Sequence, residues 1–157
     1  VGAVCFGRVR DFDVTDINNM GAAMAPAAAE TLLRFFARSG RRPEDYDAIY
    51  TGDLGFVGSR LLLEILQSEG LPLQNHQDCG LLLYDRARQQ VKAGGSGAGC
   101  SAAVLAAHIL PGLAKGQLHR VLLVSTGALM SQTTFLQGES IPGIAHLVEL
   151  LAPGTPV

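Results

Sequence analysis

Apolar positions along the chain fall into blocks of two kinds, some spaced like helix faces and some continuous. Residues 1–12, with Val1, Val4, Phe6, Val9 and Phe12, predict a strand. Residues 13–20 are a polar loop holding Asp13, Asp16, Asn18 and Asn19. Over residues 25–39, Ala29, Leu32, Leu33 and Phe36 share one helical face, Pro26 suits a first-turn position and Gly40 suits a cap. Residues 47–51 predict a short strand that ends in Gly52-Asp53. A second helix is expected over 58–69, closed by Gly70 and Pro72. Residues 78–84 form an apolar run of strand length; 85–88 read as a turn, and 89–92 extend or follow the strand. Residues 101–110 are an alanine-rich helix pattern stopped by Pro111-Gly112. Val121, Leu122, Leu123 and Val124 lie in a continuous apolar stretch (119–125), as in a strand covered on both faces. A polar loop (131–139) precedes a last strand at Gly143–Leu151, and 153–157 are a tail.

This order of elements predicts an α/β fold, a mixed sheet flanked by helices in three layers. The helix at 101–110 is expected to be a buried central helix, because Ala102, Ala103, Ala106 and Ala107 permit tight packing on several sides. One domain over 1–152 accounts for the pattern. The chain starts without Met and directly in strand-like sequence, which reads as a piece of a longer protein. Sites in such sheets form at strand ends and helix starts.

Composition narrows the function. Apolar residues make up 48% of the 157 positions and charged residues 17%, enough to fill a core and to leave apolar surface for a partner. A net charge of −2 argues against binding nucleic acid, since no excess of cations would neutralise phosphates. Arg34, Arg38, Arg41 and Arg42 read as a solvated helix end. Three cysteines without a CxxC pair support neither a zinc site nor a disulfide scaffold. No stretch approaches the roughly 18 apolar residues of a bilayer span.

The densest chemical signal is the glycine-rich turn at 93–99 running into the helix at 101–110, with Cys100 at the junction. A helix start offers free N–H groups and the positive end of a dipole, which suit an anion or a low-pKa thiol. The backbone donors of Gly99, Cys100 and Ser101 are therefore candidates for holding a carboxylate. For Cys100 itself, plain packing remains the alternative. His146, after a Pro-Gly turn, is either a histidine satisfied by backbone or a charge partner for a carboxylate. Asp53 either caps the following helix or faces a pocket, and Asp53 and Glu139 are the candidate carboxylates for a ligand site. His76 reads as a loop histidine, His108 and His119 as structural or exposed, and Cys5 and Cys79 as packing.

Taken together, residues 20–29 (MGAAMAPAAA), 43–49 (PEDYDAI), 93–102 (AGGSGAGCSA) and 141–146 (IPGIAH) resemble the C-terminal half of a thiolase-fold protein. In that fold two similar halves each contribute a sheet, with two central helices between the sheets. Residues 7–32, 46–59 (YDAIYTGDLGFVGS), 78–85 (DCGLLLYD) and 139–146 (ESIPGIAH) resemble one branch of it, the stage V sporulation protein AD family of spore-forming Firmicutes. The resemblance implies a non-enzymatic role in sporulation and germination. It implies binding of dipicolinic acid, with uptake into and release from spores. Implied partners are the missing N-terminal half and other stage V sporulation membrane proteins, at the spore inner membrane, peripherally. No cofactor is implied, and calcium enters only as part of the calcium–dipicolinate ligand. With the other half missing, self-association through the central helix is expected.

Thiolase chemistry is the competing expectation. By the resemblance, the Asn, His and late Cys of such an enzyme would fall on Gly52, Cys100 and near Ser140. Without an imidazole base there is no partner for proton exchange. Each lost oxyanion donor removes roughly 3 kcal/mol of stabilisation. A third expectation is an assembly half whose ligand is held by the missing N-terminal part.

Overall fold

The structure, a computed structural model, describes residues 1–94 and 97–156, and of Ala98 the backbone only. Gly95 and Ser96 of the glycine-rich turn lie outside the described residues. The elements are β1 (Val4–Cys5), α1 (Met20–Ser39), β2 (Ala48–Thr51), α2 (Gly55–Ser68), β3 (His76–Asp78), α3 (Cys79–Leu83), α4 (Ala98–Val104), α5 (Leu110–Ala114), β4 (Arg120–Ala128), α6 (Gln132–Leu136) and β5 (Gly143–Leu151). A π-helical turn, Leu105–Ile109, joins α4 to α5.

The strands form one mixed sheet in the order β1-β5-β4-β2-β3. β2 is parallel to both β3 and β4, whereas β5 runs antiparallel to β4 and to β1. This is the α/β class expected, with helices on both faces. Ile49, Leu122, Val124 and Leu147 point into a core shared with α1 and α2. Ala48, Tyr50, Val121 and Leu123 point to the other face, against Cys100, Val104, Ile109 and Leu113. The unbroken apolar run of β4 is thus divided between two cores, as a strand covered on both faces requires.

Several boundaries differ from the sequence pattern. Strand pairing near the N-terminus is confined to Val4–Cys5 and a single bridge between Arg10 and Gly143, not the whole of 1–12. α1 starts at Met20, so Pro26 lies inside it rather than in its first turn. The preceding Gly21-Ala22-Ala23-Met24-Ala25 run is mostly strong helix former, and Ala23, Met24 and Ala25 are buried. α2 likewise starts at Gly55 instead of residue 58.

Within the apolar run 78–84, Cys79–Leu83 form a helix and not a strand, and Asp78 ends β3. Asp78 caps α3 by accepting hydrogen bonds from the Gly80 and Leu81 N–H groups. The paired residues are His76–Asp78, which places His76 in a strand and not in a loop.

The helix after the glycine-rich turn does not stop at Pro111 but runs on through α5. The π turn carries it, with the Leu110 N–H reaching the Leu105 carbonyl five residues back, just ahead of the proline that has no N–H of its own. Nor is this helix buried on all sides. Cys100, Val104, Ile109 and Leu113 face the sheet, while Ala102, Ala103, Ala106 and Ala107 are exposed. The 131–139 loop contains α6, capped by Ser131.

Candidate functional site

β2 and β4 run in the same direction and end side by side, Thr51 pairing with Val124. Beyond these ends lies a cleft of about 440 Å³. Asp53 enters it from the end of β2, Thr126 and Gly127 from β4, Asn18 and Asn19 from the approach to α1, and Gly97 from the start of α4. A crevice at the carboxyl ends of parallel strands is where α/β sheets place ligands.

Asp53 and Thr126 hold each other. The Thr126 hydroxyl donates to Asp53 Oδ1 at 3.2 Å and accepts from the Asp53 N–H at 3.2 Å. Gly52 allows this approach, because a Cβ there would lie 2.7 Å from Thr126 Oγ1. Asn19 stands at the N-cap of α1 without a side-chain capping bond. The Asn18 side-chain amide donates to Asp16 Oδ1 at 3.3 Å. The 93–94 segment is tied to α2 by the Phe56 N–H, which donates to the Ala93 carbonyl at 2.6 Å. Gly55, at φ +64, leaves room for that carbonyl.

Among the predicted residues, Asp53 reaches the cleft, together with Ala93, Gly94 and Gly97 ahead of α4. Cys100 is 1% exposed and packs in the core with Tyr50 and Cys79. Its N–H donates to the Gly97 carbonyl at 3.1 Å, so one of the three expected helix-start donors is used within the turn. Gly99 is exposed and Ser101 half-buried, and neither lines the cleft. His146 is exposed on β5, accepts from the Gly7 N–H through Nδ1 at 3.0 Å and meets Phe6 edge-on. Glu139 is exposed after α6. Neither His146 nor Glu139 lines the cleft.

Sequence reasoning passed over Thr126 and Asn18 as site residues. The available signal was position. Thr126-Gly127 directly follows the continuous apolar stretch of β4, at the strand end where ligands bind. Among the described residues, no three His, Cys, Asp or Glu side chains gather as a metal site. Asp53 is the one charged group among the described residues of the cleft wall.

Arg41, one of the four clustered arginines, has a role that the pattern did not reveal. Arg41 and Arg120 both pair with Glu149, whose side chain is fully buried in β5, and the Tyr46 hydroxyl donates to it at 3.2 Å. The Ala3 N–H donates to the same carboxylate at 2.9 Å, which fixes the N-terminal segment to the sheet. Burial and the neighbouring Glu149 charge push the Tyr46 hydroxyl up to about 12, so it stays a donor.

Mixed sheet, helices on both faces and a cleft beyond two parallel strands define the class as a layered α/β protein with a cleft at its strand ends. The chain belongs to the stage V sporulation protein AD family, whose sequence profile matches residues 1–151. It is 51% identical over 141 residues to stage V sporulation protein AD of Bacillus subtilis (strain 168). That match covers 89% of this chain and 41% of the relative, so the chain spans about two fifths of that protein's length. Family membership gives the chain a sporulation-related role. No helix among the described residues is long and apolar enough to cross a membrane.

Proposed function

We propose that this chain is the C-terminal part of a non-catalytic sporulation protein that binds calcium dipicolinate, at the spore inner membrane, for uptake into and release from spores. The observation that carries this reading is the cleft shared by Asp53, Thr126, Asn18 and Asn19 at the ends of β2 and β4. Its described wall has the side-chain amides of Asn18 and Asn19 for carboxylate oxygens, and one carboxylate. A free dicarboxylate would be repelled by Asp53. A dicarboxylate carrying calcium would be held by it, since calcium takes carboxylate oxygens. The non-catalytic reading is supported by Gly52, Cys100 and Ser140 at the places of a condensing enzyme's Asn, His and Cys. Cys100 is enclosed in the core, and the Ser140 hydroxyl is bonded to Asp11 on the surface.

The exposed alanine face of α4 and α5 supports a partner surface, covered by the N-terminal half in the complete protein. In this chain alone, a second copy takes that place. Calorimetric titration of the full-length protein with calcium and dipicolinate tests the ligand. Asp53→Asn is expected to weaken binding at least about tenfold, the loss of roughly one charge-assisted contact. Unchanged affinity would overturn the assignment of the ligand to this cleft, and turnover of an acyl thioester would overturn the non-catalytic reading.

A further inference from the structure

A second cavity, of about 370 Å³, lies between α2 and the β3–α3 segment and shares no lining residue with the cleft. Phe56, Ser59, Arg60 and Leu63 form one wall, the i, i+3, i+4, i+7 face of α2; His76 and Leu81 stand opposite. Ser59 is 5% exposed, and its hydroxyl is buried without a hydrogen-bond partner among the described residues. A buried hydroxyl left unmade is costly, so its place on a cavity wall is informative. Arg60 lines the cavity, and its guanidinium lies 5.6 Å from the centre of the Phe56 ring; that of Arg86, outside the lining, lies 4.1 Å from the same ring centre while its Nε–H donates to the Lys92 carbonyl at 3.1 Å. Neither arginine has an ion-pair partner among the described residues. Among the described residues the cavity therefore combines apolar walls, an unused hydroxyl and one cation without an ion pair, with a second such cation stacked on its Phe56 wall.

We propose that this cavity binds a small organic carboxylate with a compact apolar body: the body packs on Phe56, Leu63 and Leu81, the carboxylate meets Arg60 and Arg86, and Ser59 hydrogen-bonds a ligand oxygen. The only carboxylate among the described residues of the wall, Asp78, is already held by five donors and does not compete for the arginines. His76 opposite is kept neutral, because burial lowers its pKa to about 4.

The probe is 2-naphthoate, titrated calorimetrically into the full-length protein. Saturable binding is expected. Arg60→Gln is expected to weaken it about tenfold and Ser59→Ala about fivefold, each with the calcium–dipicolinate titration unchanged. The neutral alcohol 2-naphthalenemethanol, tested on the unaltered protein, is expected to bind at least about tenfold more weakly. No naphthoate binding up to about 1 mM, equal affinity in both variants, or equal binding of the alcohol would each overturn the proposal. Failure at this cavity leaves the Asp53 titration standing, so the two sites are judged separately.

Discussion

Thr51 Oγ1 and Asp78 Oδ2 lie 2.7 Å apart across the parallel pair β2–β3, and this contact organises one end of the sheet. Asp78 is 2% exposed and accepts from five donors: the Thr51 hydroxyl and the N–H groups of Leu54, Gly55, Gly80 and Leu81. One carboxylate therefore satisfies the starts of both α2 and α3. The same turn holds Asp53, one residue before Leu54, at the cleft.

Asp78→Ala leaves the four backbone donors unpaired, while the Thr51 hydroxyl keeps His76 Nε2 and the Gln77 carbonyl within reach. It is expected to cost about 3–5 kcal/mol, in the range for breaking a buried charged network. Asp78→Asn keeps the shape but sets an NH2 group against N–H donors, and is expected to cost about 1–3 kcal/mol. Urea unfolding at 25 °C, followed by far-UV circular dichroism, gives both values. A loss under about 1 kcal/mol for the alanine variant would show that the five contacts do not stabilise the fold.

The neighbouring His76 makes stability depend on pH. Its Nε2 lies 2.9 Å from Thr51 Oγ1, and burial lowers its pKa from 6.5 to about 4. Between these values the unfolded chain binds a proton that the folded chain does not, so stability rises with pH and falls on acidification. The full shift corresponds to about 3 kcal/mol lost between pH 7 and pH 4. Asp78 acts in the opposite sense, because burial raises its pKa and ionising it lowers folded stability. Comparing His76→Gln with the parent at each pH isolates the imidazole. The variant's Tm is expected to fall less steeply between pH 6.5 and pH 4, and parallel curves would refute the assignment.

Glu149 supplies a second test of buried charge. With Arg41, Arg120, Tyr46 and Ala3 all directed at it, Glu149→Ala strands two cations and is expected to cost about 3–5 kcal/mol. Tyr46→Phe removes one hydroxyl and is expected to cost about 1 kcal/mol. Because the Ala3 N–H bonds the same carboxylate, the alanine variant is also expected to release residues 1–5 from the sheet. Faster amide exchange at Cys5 relative to Leu122 would report this.

The parts of the fold legible from the sequence were those where one physical rule acted alone. The continuous run Val121–Val124 was a doubly covered strand, and Phe36 and Leu32 lay on a buried helix face as their spacing required. Competing rules hid the rest. Pro26 and Pro111 read as boundaries, yet alanine-rich propensity and a π turn carry the chain through both. Leu81, Leu82 and Leu83 read as strand, because the Asp78 cap that makes them helical is visible only as one acidic residue before Cys79-Gly80. At the site, Asp53 was legible from its strand-end position, whereas its bond to Thr126 spans 73 residues of sequence and needs the register of β2 against β4. The buried Glu149 ion pairs escaped notice because an acidic residue in an apolar strand carries no local sign of its partners.

The closest approach of α1 and α2 links the cleft to packing. A Cβ on Gly58 would lie 2.8 Å from Gly21 Cα and 3.0 Å from its carbonyl oxygen, both backbone atoms that yield only if the helices separate. Gly21 also lines the cleft, a short step from Asn18 and Asn19. Gly58→Ala is therefore expected to cost about 1–3 kcal/mol as overpacking and to displace the asparagines, weakening calcium–dipicolinate binding as well. Gly99→Ala is the control. Gly99 is helical and exposed, and a Cβ there meets nothing within 4 Å among the described residues. The added methyl is expected to stabilise by about 0.4–1 kcal/mol through the unfolded chain. Opposite changes in Tm for the two alanines would show that Gly58 is retained for helix contact at the cleft. A neutral or stabilising Gly58→Ala would show that the two helices can separate at no cost.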